Sequence, residues 1–311
     1  MFNSTSAVVR LHDAFGLSNE KIRDVLTAVA HATLTLDDAF QLAPAGLERS
    51  TGLAAPLIAA LTSAAPDSAY EKAAALQQRG FAAMTLLDPE YPLQLKGYRD
   101  CPPILYVRGE PGLLTTQGFA FAGARNVSEA GLEATRALAL DTVQHGWQVV
   151  SGAAPGVDTR AHRTALEAHG LTTFVLPEGA LKTATRAEIR PAINAAPASA
   201  LFVSQFPPTM PWAGRLAMMR NRTVIGLSRA LIVIEAGLES GGTWQAGLDA
   251  AKMGVPMYVA AYKQPAPSAA GNAALIERHG GIPIHEDGGW RIPQPEIPGW
   301  CQTMRPGWQS A

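Results

Sequence analysis

At 311 residues the chain is long enough for about two domains. Hydrophobic residues make up 47% of it and charged residues 16%, which supplies a packed core and excludes a disordered chain. A net charge of −1 excludes a uniformly basic nucleic-acid binder, so any phosphate contacts must come from positive charge gathered on one face.

Cys101 and Cys301 are far apart in sequence and belong to no CxxC pair, so neither a zinc site nor a disulfide framework is expected. The opening Met1-Phe2-Asn3-Ser4 lacks the basic start of a signal peptide, and no apolar run reaches membrane-spanning length. A cytoplasmic protein without membrane contact is expected, with both thiols idle in a reducing compartment.

Residues 1 to about 65 read as helical. Ser18-Asn19-Glu20 offers a cap, and Ile22, Val25, Leu26 and Val29 follow at helical spacing. Thr35 opens a short helix, and residues 54–61 continue the pattern. A further helix over 68–79 leads to a candidate strand at 81–87, the turn-rich Asp88-Pro89-Glu90-Tyr91-Pro92, and a second strand at 104–107. From Phe119 onward short apolar runs alternate with helix-length segments. The runs are 119–122, 147–150, 173–176, 200–203, 230–234 and 256–260. Continuous apolar runs of this length suit strands buried on both faces, and their alternation with helices predicts a mostly parallel, doubly wound α/β sheet. After about 288 the chain changes character. Trp290, Trp300 and Trp308 stand among Pro293, Pro295, Pro298 and Pro306, which predicts an extended strap or an aromatic platform.

In an open parallel sheet, ligands bind beyond the carboxyl ends of the strands, and four loops there carry candidate residues. The first is Gly123-Ala124-Arg125-Asn126 with Ser128 as a helix cap; its glycine permits close backbone approach and Arg125 is a bidentate phosphate donor. The second runs from Ser151 and Gly152 through Gly156 to Asp158, with Arg160, His162 and Arg163 on the helix that follows. Asp158 is read as that helix's N-cap, and His162 as either a structural hydrogen-bonding group or a ligand contact. The third is the Pro-rich stretch 207–212, followed by Arg215, Arg220, Asn221 and Arg222. The fourth runs from Glu235 to Glu239-Ser240-Gly241-Gly242-Thr243; its glycines form a nest of backbone donors, and Glu235 is placed to meet a ribose hydroxyl.

With these motifs in their order, the chain resembles the DprA/Smf (DNA-processing protein A) family. Gly123 to Asn126 is similar to that family's Gly-Ser-Arg-Asn-like turn. Ser151 to Asp158 with Ala161-His162 resembles its Ser-Gly-x-Ala-x-Gly-x-Asp loop and the following Ala-His pair. Ser204-Gln205-Phe206-Pro207-Pro208, Arg220-Asn221-Arg222 with Gly226-Leu227-Ser228, and Glu235-Ala236 with Ser240-Gly241 resemble three further family segments. The upstream Tyr91-Pro92, Pro102 to Tyr106 and Gly109, and the downstream Gly271-Asn272 and Leu275-Ile276, also fit.

The residue patterns divide the chain into an all-helical N-terminal domain over 1–66, a Rossmann-like domain over 67–288 and an extended tail over 289–311; the resemblance covers about residues 85 to 285 and implies the Rossmann-like fold there. It further implies single-stranded DNA binding, no cofactor, no established enzymatic activity, a homodimer, and a RecA-type recombinase as partner in natural transformation. The sequence departs from the family pattern in several places. Ala124 replaces a serine, Pro155 a basic residue and Gln205 a glutamate; a Tyr-Pro element is absent after the third parallel strand, and no C-terminal winged helix is visible. The alternative reading is a nucleotide- or ADP-ribose-type binding protein, or an N-glycosidase. Gly241-Gly242-Thr243 partly echoes the loop of nucleotide phosphoribohydrolases, and Glu178, Glu235 or Glu239 would be the catalytic acid. A third possibility is a protein-docking module built on the two ends of the chain.

Overall fold

The computed structural model describes residues 3–185, 187–287 and 289–293. The chain opens with α1 (Thr5–Phe15), α2 (Asn19–His31), α3 (Leu36–Gln41), α4 (Pro44–Thr51), α5 (Ala55–Ser63) and α6 (Pro66–Gln78). Local chemistry sets the boundaries. The Ser4 hydroxyl accepts from the Ala7 N–H at the start of α1, and Thr35 and Asp38 form a reciprocal capping box at α3. Proline occupies the first turn of α4, α5 and α6, where its missing N–H costs nothing. These helices close over one face of the sheet rather than a core of their own. Val9, Leu11, Ile22, Leu26 and Leu76 share a single cluster with Ile104, Tyr106, Phe174 and Phe202 of the strands. At that junction the His12 ring nitrogen lies 3.0 Å from the Tyr106 hydroxyl, and burial pushes the His12 pKa down to about 3.

The sheet domain then runs β1 (Ala82–Thr85), α7 (Leu93–Lys96), β2 (Ile104–Gly109), β3 (Gly118–Ala122), α8 (Glu129–Gln144), β4 (Gln148–Ser151), α9 (Val157–Glu167) and β5 (Thr172–Leu176). It continues with α10 (Arg190–Ala195), β6 (Ala200–Ser204), α11 (Gly214–Gly226), β7 (Ala230–Val233), α12 (Gly241–Met253), β8 (Met257–Ala261), α13 (Asn272–His279) and β9 (Ile282–His285). The described strands form one sheet in the order β1-β2-β6-β5-β4-β3-β7-β8-β9. From β6 to β9 every pairing is parallel, as expected for βαβ units; β1 and β2 add an antiparallel margin.

Alternation along each strand sends side chains to two layers. Leu105, Val107, Val150, Val175, Val203 and Val233 pack under α7, α11, α12 and α13. Their neighbours Phe119, Phe121, Val149, Ile232 and Ile234 pack under α8 and α9. Both faces are therefore apolar, which is why the strands read as continuous hydrophobic runs.

Strand β9 does not stand out in the sequence. Pro283 breaks its pattern, and it is tolerated because β9 is an edge strand whose outward side needs no ladder donor. The strand expected over 81–87 is shorter, because Asp88 accepts from the Thr85 N–H and hydroxyl and turns the chain. Of the C-terminal strap, Trp290 packs edge-on against Tyr262, and the Ile292 N–H donates to Asp141 at 2.9 Å. Residues 294–311, with Trp300, Trp308, Cys301 and three of the prolines, lie outside the described residues.

Candidate nucleic-acid interface

The chain winds outward from β3 in both directions: β4, β5 and β6 lie on one side, and β7, β8 and β9 on the other. The point between β3 and β7 is therefore the topological switch, where loops from opposite windings diverge and leave a crevice. Two adjoining cavities open along this edge, with volumes of about 490 and 560 Å³. Arg125, Ala154, Ala217 and Arg220 line both.

The first and second loops are pressed together. A side chain at Gly123 would meet Val157, and one at Gly156, whose φ is +79°, would sit 2.4 Å from the Ala124 carbonyl. Only glycine permits that approach. It also settles where α9 begins: Gly156 is the N-cap, and Asp158 is a first-turn residue whose carboxylate accepts from the Ala154 N–H at 3.2 Å. The reading of Asp158 as the cap is thus corrected, because a left-handed glycine makes the turn one residue pair earlier. Gly152 leaves room for the Arg220 guanidinium, which lies directly over it, 2.1 Å from where a Cβ would stand. Arg220 is only 6% exposed. Burial pushes its pKa down and that of buried Asp158 up; each shift is opposed by the attraction between the two. Arg125 is exposed and sits 5.8 Å from the Trp212 ring in a cation–π contact. Asn126 beside it is exposed too.

The third loop is stitched to the stretch after β5. The Gly179 N–H donates to Met210 and the Leu181 N–H to Pro208, both at 2.9 Å. This places Glu178 and Trp212 on the walls of the first cavity. The fourth loop contributes Ser240, Gly241, Gly242 and Thr243 to the second cavity, at the N-terminus of α12. Ser240 makes no capping bond with its side chain there. Asn221 spans to the same turn, donating to the Gly242 carbonyl at 3.2 Å. The start of a 13-residue helix with accessible N–H groups favours an anion.

Other residues expected at this edge are placed elsewhere or are already engaged. Ser151 is fully buried, and its hydroxyl donates to the Phe121 carbonyl at 2.8 Å. His162 is fully buried as well. Its ring nitrogens lie 2.6 Å from the Thr172 hydroxyl and 2.6 Å from the Gly152 carbonyl, its ring stacks on Phe174, and burial pushes its pKa down to about 3. It is a neutral wall of the first cavity. Arg163 pairs with Glu167 on α9, and Arg160 lies on the same helix facing Glu133; neither lines a cavity. Arg222 is held between Asp100 and Asp249 in a third depression, beside α2. Arg215 is exposed at the start of α11, outside both cavities. The shared helical face of Arg215 and Arg222 thus does not bring them to the site. The seven-residue interval puts them two turns apart, and the neighbouring carboxylates hold Arg222 away.

The three glutamates have different settings. Glu178 lines the first cavity, and its carbonyl accepts from the Ser204 hydroxyl. Glu235 is 1% exposed, and both its carboxylate oxygens accept from Ser128, one from the N–H and one from the hydroxyl. Its carboxylate thus braces the switch point, and the residue also lines the second cavity. Glu239 is exposed and faces Arg278 at 3.6 Å. Sequence reasoning missed Phe174, Phe202, Thr183 and Ile189, which line the first cavity. The pairing of Phe174 with Phe202 depends on the register of β5 against β6, which no local pattern reveals.

An open, doubly wound α/β sheet with two cavities at its switch point defines a class of ligand-binding proteins rather than one member. The sequence relations narrow it. The profile described as DNA recombination-mediator protein A matches residues 82–286, and the chain belongs to that family. It is similar to the DNA processing protein DprA of Bacillus subtilis, at 28% identity over 66% of this chain and 69% of that protein. It is also similar to Protein Smf of Synechocystis, at 34% identity over 53% of this chain and 42% of the relative, so there the match spans less than half the relative's length. Among solved structures, DprA from Streptococcus pneumoniae superposes with a TM-score of 0.74 at 23% identity, over 91% of this chain and 95% of that one. DNA processing protein A from Helicobacter pylori, described for its single-stranded DNA binding mode, superposes with a TM-score of 0.57 at 26% identity, over 66% and 90%. Among the described residues no helix is long and apolar enough to cross a membrane.

Proposed function

We propose that this protein binds single-stranded DNA through its phosphate backbone at the carboxyl ends of β3, β4 and β7, as a DNA-processing protein that delivers the strand to a RecA-type recombinase. The observation that carries this reading is the sharing of Arg125 and Arg220 between two cavities at the switch point, with the N-terminus of α12 opposite them. A near-neutral chain thereby acquires a local positive edge. Trp212, 51% exposed beside Arg125, offers a face on which a base can stack. The H. pylori relative's single-stranded DNA binding supports the choice of ligand. A homodimer in the cytoplasm is the proposed setting.

The test is a salt series of binding to a labelled oligothymidylate. Affinity should fall steeply with salt, and Arg125→Ala should weaken binding and flatten the slope by about one unit of log K against log salt. No binding at low salt, or an unchanged slope in the variant, overturns the proposal.

A further inference from the structure

We propose that Arg79 and Arg108, on the seam between the N-terminal helices and the sheet, form a second phosphate-binding site, which holds the backbone of a bound strand beyond the switch point. This rests on strand binding at the switch point and adds where the strand runs from there.

Arg108 stands on β2 directly across from Phe202 on β6. Its guanidinium carbon lies 4.2 Å from the Phe202 ring centroid and 5.0 Å from that of Phe81. The two rings fix the group by cation–π contact and use none of its N–H donors. Among the described residues Arg108 makes no hydrogen bond and no ion pair. Its stem passes beside Gly80, where a Cβ would stand 3.6 Å from the Arg108 Cγ. The preceding residue, Arg79, is exposed at the C-cap of α6 and donates one N–H to the Leu181 carbonyl at 2.9 Å. Burial and the neighbouring Arg79 charge both push the Arg108 pKa down, and no carboxylate acts against them.

Two guanidinium groups held side by side without a counter-charge repel each other. Other arginines of the surface are neutralised: Arg136, Arg163, Arg222 and Arg278 each face a carboxylate. A phosphate supplies the missing negative charge, and its oxygens match the two planar forks. The stretch 177–185 connects this pair to the switch point. Pro177, Glu178, Thr183, Ala184 and Thr185 line the first cavity, and Leu181 between them accepts from Arg79. The pair therefore lies just behind the wall of that cavity. Strand β2 carries Arg108 and β3 leads into Arg125; they are four strand positions apart in the sheet, about 19 Å at the usual spacing. A mononucleotide is too short to touch both, so the pair acts on a strand of several nucleotides.

Fluorescence anisotropy with oligothymidylates from about 4 to about 16 nucleotides tests the site. Wild-type affinity should step up about tenfold or more once a strand spans both sites, because hydrogen bonds between charged groups are the strong ones. Arg79→Glu, at an exposed position, sets a carboxylate beside Arg108 and occupies the site; Arg108→Gln removes the second guanidinium. In both variants the step should vanish, leaving the gradual rise that comes with more binding registers, while short strands bind as they do to the wild type. The salt dependence should flatten by about one unit of log K against log salt on long strands and not on short ones. If the wild type shows no step, or Arg79→Glu keeps it, the second site is refuted while binding at the switch point stands. If no strand of any length binds the wild type, the switch-point reading fails and the second site fails with it.

Discussion

Replacing His162 with glutamine separates a structural histidine from a ligand-contacting one, and the two give opposite pH signatures. In the native protein the ring is buried and its pKa is pushed from the ordinary 6.5 down to about 3, chiefly by burial. The unfolded chain takes up a proton near pH 6.5, whereas the folded chain refuses it. Stability contributed by the neutral ring is therefore present above pH 6.5 and is lost as pH falls from 6.5 towards 3. Between pH 7 and pH 5 this linkage removes about 2 kcal/mol, at about 1.4 kcal/mol per pH unit once the unfolded histidine is charged. Buried His12, also with a pKa pushed down to about 3, removes a similar amount over the same interval. At pH 7, His162→Gln should cost about 1–3 kcal/mol, because the hydrogen bonds to Thr172 and the Gly152 carbonyl are imperfectly replaced. Between pH 7 and 5, however, the variant should lose about 2 kcal/mol less than the wild type. Urea unfolding at pH 7, 6 and 5, followed by circular dichroism, gives both quantities. Parallel pH dependences for the two proteins would show that the folded ring titrates like a solvated one, and the burial argument would fail.

Three further changes probe the frame of the site. Gly156→Ala should destabilise by at least about 2 kcal/mol and abolish strand binding, since φ is +79° and the new methyl would meet the Ala124 and Arg125 carbonyls; thermal unfolding and anisotropy measure the two effects. Asn272→Ala should cost about 3 kcal/mol in chemical denaturation, because the Asn272 amide accepts from the Ala236 N–H and donates to the Ile234 and Ala260 carbonyls in a buried setting. Trp212→Ala should leave the melting temperature unchanged, as the ring is half exposed, yet weaken binding of oligothymidylate about tenfold; equal binding would remove Trp212 from the interface.

The reach of local sequence is visible in particular elements. The runs that became β3 to β8 could be read because both sheet faces are covered, so apolar residues stand next to one another along each strand instead of alternating with polar ones. The boundaries of α3 and α8 followed from Thr35 and Ser128, whose side chains cap the backbone within three residues. Gly123, Gly156 and Arg125 were legible as parts of strand-end loops because turn chemistry is local. Strand β9 was not, since an edge strand needs only one good face and tolerates Pro283.

What the sequence by itself determined is the α/β class, the set of strand-end loops and the family resemblance, all carried by interactions within a few residues of each other. Only the tertiary structure decided which arginines share a cavity. Arg220 and Arg222 are two residues apart, yet one is buried over Gly152 between two cavities and the other is held between Asp100 and Asp249. It also decided that His162 and Ser151 face inward and that Phe174 meets Phe202, because sheet register and the packing of distant loops set these neighbours. Partners tens of residues away in sequence leave no periodic trace in a single chain, so their choice appears only once the sheet is assembled.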